Sequence, residues 1–189
     1  HLRRVGQADY ARRVTAANLT ICERNRWPDN ISMCHRVLGE LDADAGGAED
    51  IASARDHFDT ALTIARAISH RPALIEALLA RGRWAAKYHA GFASDGSGVG
   101  AGLRPAPTSD VVLPLQQAFS DLREALGYAT DGGYRLYEAD IRIALAWAHL
   151  ASGNPAAARQ EATRAQTMSP DMGYHWGQVD AAEVLALLP

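Results

Sequence analysis

The chain has 189 residues, which suits one domain of ordinary size or a short array of repeated units able to bury a core. A formal net charge of −3, with 22 % charged residues, argues against nucleic acid as a partner and against an acidic solvating tail. Two cysteines, Cys22 and Cys34, are too few for a disulfide-stapled scaffold. They point to a reducing cytoplasm, and no apolar run of about 18 residues offers a membrane span. The opening "HLRRVGQADY" also lacks the apolar core of a signal peptide.

In chain order, helical periodicity and its punctuation predict eight helices, at 7–24, 30–45, 49–69, 72–89, 111–130, 134–152, 155–168 and 172–187. No stretch alternates apolar and β-branched residues as a strand would. In "DIRIALAWAHLASG" the apolar Ile143, Ala146, Trp147 and Leu150 recur three and four apart and stop at Gly153. The next helix restarts with Asn154 as a cap and Pro155 at the first helical position, and Pro170 closes it.

Between the fourth and fifth helices lies "SDGSGVGAGLRPAP", residues 94–107. Gly96, Gly98 and Ala101 match a variant of the dinucleotide fingerprint, but that motif works only between a strand and a helix, and here a helical pattern precedes it and prolines follow. The segment is read as a loop inserted near 90–110, tolerated because added loop length costs little entropy.

Self-comparison finds a recurrence at a shift of forty residues. "DGGYRLYEADIRIALA" and "DMGYHWGQVDAAEVLA" share Asp131/Asp171, Gly133/Gly173, Tyr134/Tyr174, Asp140/Asp180, Leu145/Leu185 and Ala146/Ala186. Between the copies, Gly153 is followed by Ala158, Ala162, Ala165 and Pro170. This resembles the tetratricopeptide repeat, with its Leu-Gly pair, its small-x3-large-x2-small run and its closing proline. Leu38 and Gly39 with Ala54, Phe58 and Ala61 form an earlier copy whose turn is about three residues longer than usual. Leu79 and Ala80 align with Ala118, Leu122 and Ala125 across the inserted loop. Tyr10, Val14 and Ala17 fit the second helix of a truncated repeat, and residues 172–187 fit a first helix without its partner. The family's aromatic positions are degenerate, filled by His35 and Asp42 in the first pair and by Arg142 and His149 in the third.

The resemblance implies an all-α fold of antiparallel helix pairs stacked in a right-handed α-solenoid. It covers residues 1–189 as one domain of about three pairs with flanking half repeats, read as part of a larger bacterial protein. It implies no catalysis, no cofactor and no metal, and a protein or peptide ligand on the concave face. The texture also resembles the C-terminal sensor arrays of STAND-type signalling proteins, whose activity lies in other domains. Carried over by alignment, the groove residues are Met33, Arg36 and Glu40, then Leu74, Ala77, Arg81 and Trp84, then Asp140, Ile143 and Trp147, with Asp180 and Glu183 last. Trp84 and Trp147 either anchor a partner or pack against a neighbouring repeat. Arg36 followed by Glu40 does not reproduce the carboxylate clamp of chaperone-binding members.

Other chemistry is weaker. The seven histidines show no H-E-x-x-H spacing, and Cys34 beside His35 has no third group to orient a nucleophile. His57, His70 and His175 read as surface or turn residues. Self-association and docking onto other domains of the same chain remain alternatives to a separate partner.

Overall fold

The structure, a computed structural model, describes residues 6–90 and 115–188. Eight α-helices make up nearly all of the described chain: α1 Ala8–Asn25, α2 Pro28–Ala45, α3 Ala48–Ala67, α4 Arg71–His89, α5 Leu115–Asp131, α6 Arg135–Ala151, α7 Pro155–Met168 and α8 His175–Ala186. No strand occurs among the described residues, and no described helix is long and apolar enough to cross a membrane.

Local chemistry sets the helix ends. Pro28 and Pro155 occupy first-turn positions of α2 and α7, where a missing N–H costs nothing. The Asn154 side chain accepts the Ala157 N–H at 3.1 Å, capping α7 as the sequence predicts. At α3 the Asp50 carboxylate reaches back to accept the Gly47 N–H at 3.2 Å. Gly46 closes α2 in the left-handed conformation, φ 73°, which glycine adopts without a Cβ penalty.

The last boundary differs from expectation. A short 3-10 turn, Pro170–Met172, precedes Gly173 at φ 62°, so α8 begins at His175 and not at 172. Gly133 has the same left-handed backbone at φ 68°. The two turns make matching backbone bonds: Tyr134 N–H to Ala129 at 2.8 Å and Tyr174 N–H to Ser169 at 2.9 Å, then Gly133 to Thr130 at 3.2 Å and Gly173 to Pro170 at 2.9 Å. Two more, from Arg135 to Gly133 and from Glu138 to Tyr134, recur as His175 to Gly173 and Gln178 to Tyr174.

The chain divides into two compact units, whose described parts are residues 6–81 and residues 82–90 with 115–188. In the first, α2 packs on both α1 and α3. The α2–α3 contact is intimate because Gly39 has no side chain: a Cβ there would lie 2.9 Å from Phe58 Cε1 and 3.2 Å from the Ala54 carbonyl oxygen. Ala54, Phe58 and Ala61 are all buried on that face.

In the second unit α6 packs on α5, α7 and α8, and α7 on α8. Gly82 plays the part of Gly39: its Cβ would meet Leu122 Cγ at 2.7 Å and the Ala118 carbonyl oxygen at 3.2 Å. The alignment that placed Leu79 and Ala80 against Ala118 and Leu122 is therefore two residues out of register. Ala80 and Gly82 are both small, and no short turn ties α4 to α5 in the sequence, so composition alone did not separate the two positions. In α7, Ala158, Ala162 and Ala165 are fully buried, as the sequence pattern requires.

Candidate functional site

The first unit carries two polar clusters. The outer one joins α2 to the start of α4. Arg36 Nη1 donates to Glu40 Oε1 at 3.1 Å, one helical turn on, and Arg36 Nε lies 3.3 Å from Glu76 Oε2. One guanidinium thus bridges two carboxylates, and all three side chains keep some solvent contact. Beside them is a depression of about 160 Å³, lined among others by Asp29, Met33, Arg36, His70 and Glu76. Met33 is 39 % exposed, an apolar tip next to charge. Asp29 and Glu76 line this depression with Arg36, and Glu40 pairs with Arg36 beside it.

The inner cluster joins α1, α2 and α3. Asp42, only 2 % exposed, accepts the Ser53 hydroxyl at 2.6 Å and pairs with Arg12, and His57 Nε2 stands 3.8 Å away. His57 Nδ1 faces His35 Nδ1 at 2.9 Å. One of those nitrogens must carry the proton and the other accept it, so the contact excludes a doubly protonated pair. Burial, and then the His57 charge, push His35 below the ordinary imidazole range, with Glu23 opposing. Both histidines are thus more than the packing or surface residues the sequence suggests. Nearby, Asn18 Nδ2 donates to Cys34 Sγ at 3.4 Å and Cys22 Sγ to Asn18 Oδ1 at 3.8 Å. Both thiols are free and buried, and burial raises Cys34 above its ordinary value.

The predicted groove residues are distributed unevenly. Arg36 and Glu40 lie together at the outer cluster, with Met33 beside them. Arg81 is held by Asp59 of α3, Nη1 to Oδ1 at 2.6 Å, and most of its side chain is covered. Trp84, Ile143 and Trp147 are 7 %, 4 % and 0 % exposed, so they are core side chains of the second unit and not a partner surface. The cause is α6 itself, where Ala139, Ile141, Ile143 and every residue from Ala144 to Ala148 are buried. Lys87 Nζ lies 4.8 Å from the centre of the Trp147 ring, a cation against its π face. Leu74 and Ala77 are buried too. Asp140 accepts the Tyr174 hydroxyl at 2.8 Å, tying α6 to the start of α8. Asp180 is half-buried on α8, and Glu183 is exposed.

Two residues that matter escaped the sequence reading. Glu76 enters the outer cluster from α4. The signal that finds it is Gly82: counting from Gly82 as from Gly39 puts Glu76 where Met33 lies in α2. Ser53 joins Asp42 from one helix turn into α3, and no sequence pattern marks it.

A cross-helix polar pair recurs as well. His35 meets His57, and Arg142 donates to Glu161 at 2.8 Å while also holding Glu138. Both pairs lie four residues before the small residue of the first helix, Gly39 or Ala146, and one before Phe58 or Ala162. His149 packs on Phe119 with ring centres 4.9 Å apart, and burial lowers its pKa while Glu161 opposes.

Among the described residues no three His, Cys, Asp or Glu side chains are grouped as a metal ion would need. The glycine segment 94–107 lies outside the described residues. No family model matches the chain, and no curated protein matches it.

Proposed function

We propose that the chain is a non-catalytic, tetratricopeptide-like module, its antiparallel helix pairs stacked in a right-handed solenoid, that holds a protein or peptide partner as the sensor or scaffold of a larger cytoplasmic protein. The observation that carries this reading is one helix-pair contact met twice: Gly39 against Ala54 and Phe58, and Gly82 against Ala118 and Leu122. A repeated close approach at one register, with a polar pair at a second shared register, supports a repeat built by stacking.

The partner surface in this reading is the outer cluster of the first unit, with Met33, Arg36, Glu40 and Glu76. Carboxylates of Asp29, Glu40 and Glu76 beside an exposed thioether favour a segment that places Lys or Arg next to an apolar side chain. A partner engaging Glu76 and Glu40 competes with Arg36, so binding would favour one arrangement of that ion-pair network over another.

A displayed peptide library panned against the 189-residue chain tests this. Enriched sequences should carry basic residues beside an apolar one, and Glu76→Lys or Met33→Glu should reduce their binding at least about tenfold. Equal binding to both variants, with an unchanged fold, removes the assignment.

A further inference from the structure

Two imidazoles that meet nitrogen to nitrogen hold one proton between them and not two. The Nδ1 atoms of His35 and His57 are 2.9 Å apart and the ring centres 5.1 Å apart, so the nitrogens point at each other along the line of centres. His57 turns its other nitrogen, Nε2, toward Asp42 Oδ2 at 3.8 Å. A carboxylate there favours the N–H on Nε2, which leaves His57 Nδ1 as the acceptor and His35 Nδ1 as the donor.

The dyad sits in the middle of the α2–α3 contact. Ser32, one turn before His35, donates to the Ala61 carbonyl at 2.9 Å, and Gly39, one turn after it, abuts Phe58 beside His57. Asp42 links the dyad to α1: Ser53 and His57 of α3 lie at its Oδ2, and Arg12 of α1 pairs with its Oδ1. Also from α1, Glu23 favours the charged form of His35, against burial and His57. The helix α4 reaches α3 two residues beyond His57, where Asp59 holds Arg81 at 2.6 Å on one oxygen and lies 3.8 Å from Arg55 on the other.

We propose that His35 and His57 are an acid switch: the dyad takes one proton with its contact intact, and a second proton parts it and loosens α1 from α2. The first added proton goes to the bare Nε2 of His35. The bridging proton then shifts, and the charge rests on His57 beside Asp42. A second proton would set two N–H groups and two positive charges face to face at 2.9 Å, so the rings separate. A charged His57 then shares one carboxylate with Arg12, and the two cations repel. The Arg12 side chain is 41 % exposed, so it is the cation that can leave for water, and an ion pair tying α1 to α2 leaves with it. The switch uses none of the residues around Glu76 and does not depend on the repeat reading.

NMR of the histidine ring nitrogens and hydrogen exchange of the 189-residue chain test this. At neutral pH His35 should carry its proton on Nδ1 and His57 on Nε2, and the pair should titrate in two steps, the lower one below about 6.5. Across the lower step, amide exchange in α1, corrected for the intrinsic effect of pH, should speed up at least about tenfold while the chain stays folded. His35→Asn keeps a donor for His57 Nδ1 and removes the second charge, so it should show one step and no acid response in α1. His149→Asn should respond as the unmodified chain does. The same tautomer on both rings, a single common step, α1 exchange that ignores the lower step, or an equal response in His35→Asn would each overturn the proposal. Tautomers and steps are read on the unmodified chain, so they decide the matter even where a variant fails to fold.

Discussion

Gly39 approaches Phe58 so closely that a methyl group on its α-carbon would sit 2.9 Å from the aromatic ring. The ring is buried and the Ala54 carbonyl blocks the other side, so the added atom has nowhere to relax. Gly39→Ala, and by the same geometry Gly82→Ala, should destabilise by about 1–3 kcal/mol despite alanine's better helix propensity. Gly127→Ala is the control: it lies inside α5 with nothing within 4 Å of the new methyl. It should stabilise by about 0.5–1 kcal/mol. Urea unfolding of the three variants gives the signs directly.

Asp42 concentrates Arg12, Ser53 and His57 around one buried carboxylate. Asp42→Ala removes the acceptor and leaves the Ser53 hydroxyl and Arg12 to find other partners, a loss of about 1–3 kcal/mol. Ser53→Ala should cost less, about 0.5–1.5 kcal/mol, since Arg12 still pairs with the carboxylate. Equal losses in thermal melts would contradict this ordering.

Acid should weaken the fold through His35 and His149. Burial lowers both below the ordinary value of about 6.5, so the unfolded chain binds protons more readily than the folded one. Their contribution is present above the unfolded value of about 6.5 and is lost as pH falls from there through the lower folded values. The melting temperature should drop between about pH 7 and about pH 5, and the drop should be shallower in a His35→Asn, His149→Asn double variant. A pH dependence identical in the variant would exclude both histidines as its source.

Cys22 and Cys34 should resist thiol reagents in the folded protein. Each is 1 % exposed, and burial holds the Cys34 thiol above its ordinary value, which depletes the reactive thiolate. Titration with a disulfide reagent should proceed slowly in buffer and fast in urea. Rapid native labelling would mean that α1 opens readily from α2.

The helices were legible because their punctuation is local. Gly153, Asn154 and Pro155 act within a turn of their own positions, whereas the start of α2 at Pro28 lies two residues before the predicted 30, and amphipathic spacing identifies the interior of α6 without reference to any neighbour. Tertiary register was less legible. Ala80 and Gly82 both pass as the small residue of a pair, and only the approach of Leu122 separates them. Trp84 and Trp147 show why sequence left two readings open: a large aromatic serves a core and an interface alike, and exposure depends on what packs over it. Glu76 and Ser53 acquire their roles from residues tens of positions away, which a linear pattern does not encode.

The turns at Gly133 and Gly173 bear on how such a chain can change. Both have the glycine, the tyrosine and four matching backbone bonds, while the helices they open differ, with Val179 where the first has Ala139 and Leu187 where it has Trp147. A left-handed backbone is a constraint no side chain elsewhere can relieve, whereas a helix face answers to whatever lies against it. The two turns therefore fix where each helix begins, whatever side chains the helix that follows presents.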